Sequence, residues 1–197
     1  VSDDLDRMSS DFGSYYSLGY MPARGDEGRY HRIEVRLRDD KGLQVRHRSG
    51  YRTKSLYDRM AEGTRSTLLY GFERNPGGIN LRFGRALPDR DGLFQVPIAI
   101  DIPLGKLELV PRGEIFVGRT RLYFEVVDED ERASKLQEIV LPIEIPALEI
   151  EKARNHPYVY QVFLQMRGGV QRVAVGLRDE IGANESFIVR TVQIGTS

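Results

Sequence analysis

The chain contains no cysteine. That excludes disulfides, thiolate metal sites and a cysteine nucleophile, and it suits an oxidising or a reducing compartment equally. The chain also lacks an excess of charge of either sign, with 29 lysines and arginines against 29 aspartates and glutamates. No overall field therefore draws it towards nucleic acid or a membrane surface. No apolar run approaches the ~18 residues of a membrane-spanning helix. The opening residues are acidic and polar, unlike a signal peptide. There is no Gly-x-Ser-x-Gly elbow and no glycine-rich phosphate loop ahead of a helix, so the sequence reads as non-catalytic, with no cofactor. What is present is 40% hydrophobic residues, with ten Tyr and eight Phe, enough for a packed core.

Periodicity gives the organisation. Leu5, Met8 and Phe12 share one face of a short helix that Ser2 caps and Gly13 ends. Ser14 to Tyr20 alternates as a strand with Tyr16, Leu18 and Tyr20 on one side. Ile33, Val35 and Leu37, a turn at 39–42, then Leu43, Val45 and His47 predict a hairpin. Between 54 and 72 the period lengthens, with Leu56, Met60, Thr64 and Leu68 four apart, which predicts a helix. Beyond Asn75-Pro76-Gly77-Gly78 the chain reads as strands. Phe94 to Leu104 alternates over eleven residues, with Pro97 and Pro103 on the outward face, which suggests an exposed edge or a bend. Alternating runs follow at 122–126, 139–145, 158–166, 173–177 and 186–194, with one helical turn at 147–154.

The fold class predicted is mainly β, an immunoglobulin-like β-sandwich of seven to eight strands, preceded by a short helix, a strand, a β-hairpin and a linker helix. The divisions are 1–52 (helix, strand, hairpin), 53–75 (linker helix) and 76–197 (sandwich).

Several clusters suggest chemistry. Between 29 and 52 eight cations face three carboxylates. Alternation places Arg32, Arg36, Arg38, Arg46 and Arg48 on the polar face of the hairpin, a ribbon suited to a polyanion. A solvated strand face that resists edge pairing explains the same pattern. His31 and His47 would face each other across the hairpin, but no cysteine or suitably spaced carboxylate completes a metal site, so no metal is expected. The run Asp128-Glu129-Asp130-Glu131 lacks the alternating ligands of a calcium loop and reads as a solvated turn. Arg24-Gly25-Asp26 spells the integrin tripeptide in a turn, where Gly and Asp are expected anyway, and Asn184-Glu185-Ser186 spells a glycosylation acceptor that has meaning only in a secretory eukaryote.

The stretch "SYYSLGYMP", a glycine-bearing turn, "GRYHRIEVRLR" and "GLQVRHRSGYR" together resemble the end of the von Willebrand factor A-type domains of acidobacterial-type secreted proteins. In that family a last helix runs into a Tyr-Tyr-x-Leu-Gly-Tyr strand and a hairpin ending in Arg-x-Gly-Tyr. The remainder, including "LLYGFERNPGGINLRFG", is similar to the domain that follows. The resemblance implies that 1–52 is the tail of an A domain whose sheet lies elsewhere, in an extracytoplasmic, periplasmic or secreted, protein. The Asp-x-Ser-x-Ser metal motif of such domains does not occur here, so their adhesion chemistry is carried by no residue of this chain. The function expected is an accessory module for protein–protein contact or a rigid spacer. The alternative is a carbohydrate- or polyanion-binding module using the arginine hairpin or a sandwich face. Leu5, Met8, Phe12, Tyr16, Leu18 and Tyr20, deprived of that sheet, form an expected self-association surface.

Overall fold

The computed structural model describes residues 17–19, 28–39 and 45–195. The chain divides into two compact units, Val1–Thr53 and Lys54–Ser197.

In the first unit, β1 (Tyr30–Arg32) pairs antiparallel with β2 (Gly50–Arg52). The His31 ring stacks on Tyr51 with centroids 4.8 Å apart. One further bond, from Ile33 N–H to the Ser49 carbonyl at 3.0 Å, extends the pairing. The ladder stops there, which corrects the hairpin expected from 33 to 47. Residues 34–37 and 45–48 belong to no strand, and Val35, Leu37 and Val45 are exposed. Alternation alone does not hold two strands together where their apolar side chains stay in water. The helix and strand expected over 2–20 lie outside the described residues, apart from 17–19.

The second unit is mainly β and a sandwich. Its strands are β3 (Asn80–Phe83), β4 (Leu87–Pro88), β5 (Leu93–Pro103), β6 (Val110–Arg112), β7 (Ile115–Asp128), β8 (Gln137–Pro146), β9 (Pro157–Arg167), β10 (Gly169–Asp179) and β11 (Glu185–Ile194). All pair antiparallel. β9 runs the whole length of β5 on one side, so β3 and β4 share the other side as one broken lane. By the same reasoning β6 and β10 lie on one side of β7 and β8 on the other. The sandwich thus has seven lanes, β3/β4–β5–β9 facing β11–β10–β7–β8, the immunoglobulin-like class the alternation predicts. The strand segments outnumber the lanes because β3/β4 breaks and β6 is a short stub.

The break has a cause in the sequence. Pro97 accepts a hydrogen bond from Gly84 N–H at 2.7 Å, so its backbone polar groups point into the β3/β4 lane. Proline has no N–H to continue that ladder. β5 is therefore central, not the exposed edge that its outward prolines suggest, and the proline is tolerated because its neighbour lane is interrupted at that point. Pro103 lies opposite Pro157 where the β5–β9 ladder ends.

The main core fills the space between the sheets. Val96, Ile98, Ile100 and Ile102 of β5 meet Leu122 and Phe124 of β7, Val173, Val175 and Leu177 of β10, and Ile188 of β11. A second cluster, including Leu104, Leu109, Ile143, Ile145 and Ile150, closes one end with helix α2 (Ile150–Arg154).

Helix α1 (Leu56–Tyr70) covers the outer face of β7, β10 and β11. It starts with a capping box: Ser55 Oγ accepts from the Asp58 N–H at 3.1 Å, and Asp58 Oδ2 from the Ser55 N–H at 3.3 Å. Gly71 ends it in the left-handed region, at φ 72. Met60 packs with Tyr123 and Phe187, and Leu68 with Val127 and Ala174. The helix lies close because glycines make room. A Cβ on Gly176 would sit 2.4 Å from Thr64 Oγ1.

Candidate functional site

The five arginines of the sequence ribbon are all exposed, but they share no ladder face. Arg32 lies in β1, while Arg36, Arg38, Arg46 and Arg48 fall beyond the point where pairing stops. Arg36 is 2.7 Å from Glu34. His47 Nδ1 lies 2.8 Å from the Arg48 carbonyl oxygen, so it and His31 are turned to separate neighbours and are not brought together. Of the expected association surface, Leu18 is 90% exposed; Leu5, Met8, Phe12, Tyr16 and Tyr20 lie outside the described residues.

The acidic run is not four solvated carboxylates. Asp128 is buried, and its carboxylate accepts from the N–H groups of Asp130 and Arg132, at 3.1 and 2.9 Å. Arg132 Nε and an Arg167 guanidinium nitrogen complete the set at 2.9 and 3.0 Å. Burial pushes the Asp128 carboxyl up, but these donors outweigh it and hold it below the ordinary carboxylate range. The arrangement is a lock for the turn between β7 and β8. Asp179 does similar work between β10 and β11, accepting from the N–H groups of Glu108, Ile181 and Gly182.

An ion-pair network covers part of the outer face of the α1-bearing sheet. Arg121 pairs with Glu138 and with Glu180, the latter at 2.7 Å, and Arg119 reaches Glu180 at 2.6 Å. Arg178 bonds Glu185 at 2.6 Å. The bond to Glu138, opposed by burial and helped by Glu180, raises the Arg121 pKa further above its ordinary range. Burial, with Glu138 nearby, pushes the Tyr123 hydroxyl up to about 12. Under α1, Glu125 is 1% exposed and takes two bonds from Arg65 on one oxygen. Its other oxygen has no partner. The sequence signalled this group as a lone charge inside the run Leu122–Val127.

Among the described residues of this unit no helix lies on the opposite sheet. Its outer face presents Gln95, Pro97, Ala99 and Asp101 of β5, Asn80 and Arg82 of β3, and Val159, Gln161, Phe163 and Gln165 of β9. Arg82 and Asp101 form a two-pronged pair at 2.6 and 2.8 Å, and that bond holds the Asp101 carboxyl below its usual range. Phe163, 59% exposed, is the one aromatic on this face among the described residues, so no aromatic row is formed. Beside it opens a hollow of about 480 Å³ lined by the Gln95, Gln137 and Gln165 amides. Among the described residues no group of three His, Asp or Glu converges as for a metal, and no helix is long and apolar enough to cross a membrane.

No protein-family model matches the chain, and no curated protein matches its sequence. Among solved structures it is similar to a Northeast Structural Genomics Consortium target, SoR45. That likeness has 13% identity and a TM-score of 0.38, over 62% of this chain and 89% of the other. It is similar at 8% identity to a Bacteroides uniformis β-glucuronidase, with a TM-score of 0.36. A second match, B. uniformis β-glucuronidase 2 covalently bound to cyclophellitol-6-carboxylate aziridine, has 8% identity and a TM-score of 0.37. Each of these two covers 59% of this chain, which spans only 13% of theirs. Likenesses this distant carry no argument about activity.

Proposed function

We infer that this chain is a non-catalytic contact or spacer module of an extracytoplasmic protein related to the A-domain family, with 1–52 as the part resembling an A-domain end. The observation that supports contact is the asymmetry of the sandwich. One sheet is sheltered on both faces, by the core and by α1, whereas the β3/β4–β5–β9 sheet leaves Val159 and Phe163 in water. Exposed apolar side chains on one face of a sheet are the raw material of a protein interface. A photo-crosslinking residue in place of Phe163, in the natural host, is expected to capture a second, different protein. The same residue at Leu148, which is 100% exposed in the 3-10 turn before α2, is the control. Equal labelling at both positions would remove the reading. Fractionation of those cells tests the compartment.

A second reading, polyanion binding, is supported by the exposure of Arg32, Arg36, Arg38, Arg46 and Arg48. Retention on immobilised heparin should then fall steeply with salt and be lost when all five become Gln.

A further inference from the structure

A two-sheet sandwich has four edges, and three of them are blunted here. β8 carries Pro142 and Pro146 and turns Glu138 and Glu144 outward. The first half of β11 is covered: Arg74 and Phe187 exchange backbone bonds at 3.1 and 2.7 Å, and Glu73 accepts the Val189 N–H at 2.9 Å. The β3/β4 lane is short and broken. These are the devices by which sheets avoid unwanted pairing.

β9 has none of them. It runs 11 residues, pairs with β5 from Arg167 opposite Leu93 to Pro157 opposite Pro103, and makes no backbone hydrogen bond on its other side among the described residues. From Tyr158 to Met166 it contains no charge, no proline and no glycine. Among the described residues β5 is the one strand that pairs with β9.

We propose that two copies of the chain pair through this edge, β9 antiparallel to β9 about a two-fold axis at Gln161. The strand is complementary to itself in that register. Gln161 lies opposite Gln161 of the partner subunit, Val159 opposite the partner's Phe163, and Tyr160 opposite the partner's Val162. The outward face reads apolar, amide, apolar in either direction, as an isologous contact requires. Val159 and Phe163, 43% and 59% exposed, would cover each other as cross-strand neighbours. A strand built for a charged partner would carry the opposite charge; this one carries none. The pairing would merge two three-lane sheets into one six-lane sheet. The inference goes beyond the contact-module reading and stands on the edge alone.

Light scattering on the full chain tests it. The wild type is expected at twice the chain mass. Gln161→Lys and Gln161→Glu should each run at the single-chain mass, because each sets like charges opposite one another, and an equal mixture of the two should recover the double mass. Residue 161 is exposed, and unchanged melting would confirm that both variants fold. In a chain without cysteine, Gln161→Cys should also cross-link to a dimer under oxidation, while Val140→Cys on the β8 edge should not. A wild type that is monomeric at its highest soluble concentration overturns the proposal. So does a dimer that persists in both charged variants, or one lost only on Leu18→Lys. Capture at Phe163 separates the two readings: a second copy of the chain there supports this pairing, whereas a different protein supports the contact module alone.

Discussion

Phe187 occupies the space that a side chain on residue 63 would need: a Cβ on Gly63 would sit 2.5 Å from the tip of the Phe187 ring. Helix α1 therefore carries a glycine in its interior because the sheet beneath reaches up to it. Gly63→Ala sets two effects against each other. Helix propensity favours alanine by about 1 kcal/mol, while over-packing a filled site costs about 1–3 kcal/mol. Met60 and Tyr123 pack with the ring, so it has little room to retreat. The expected outcome is a lower urea midpoint with an unchanged slope. A raised midpoint would show that the helix can ride outward at no loss.

Phe124 lies 2% exposed between the sheets. Phe124→Ala is expected to cost ~3–5 kcal/mol in equilibrium unfolding. A loss under about 1 kcal/mol, the level of a volume-conserving swap, would contradict the packing described.

Arg65 supplies both bonds to the buried Glu125 while its own side chain stays 57% exposed. Arg65→Met leaves a buried carboxylate alone, at an expected loss of about 1–3 kcal/mol. Adding Glu125→Gln should restore a large part of that loss, because the stranded charge is gone. A double-mutant cycle measures the coupling, and additive effects would mean the pair is not coupled.

Asp128 and Asp101 are both held below the ordinary carboxylate value near ~3.9. A depressed folded pKa adds stability above that value, and the gain fades as pH falls through the depressed one. The melting temperature should therefore decline below about pH 4. Asp128→Asn should melt lower at pH 7 and lose less on further acidification. Parallel curves for the two proteins would clear Asp128 of any part in the acid limb.

Legibility in the sequence followed burial. β5 and β8 were readable because one face meets the core and the other meets water. β7 was only partly readable, as Leu122, Phe124 and Val126, because Tyr123 and Val127 are buried too, under α1, and the two-residue period blurs where both faces are covered. The α1 stripe was plain in Met60, Thr64 and Leu68, yet what it lies on was hidden. The small residues Gly63, Ala174 and Gly176 mark the contact only once they are brought together. Pro97 misled because an outward proline marks an edge in most sheets, whereas here the adjacent lane gives way instead. The 33–47 hairpin had the right alternation, yet Val35, Leu37 and Val45 stay exposed and gain nothing from pairing. The β9 edge was out of reach, since whether a strand is central or terminal depends on strand order, which alternation does not encode.

The unequal cover of the two sheets has a consequence for motion. The amides of β10 sit between β7 and β11, beneath α1 and above the core, so solvent reaches them only when much of the unit opens. Those of β9 lie at a bare edge under an open face and need only local fraying. In deuterated water the single-chain Gln161→Lys variant should therefore exchange at two speeds, with β10 setting the slow limit and β9 among the first strands to lose its protons, whereas pairing of two wild-type chains should slow β9.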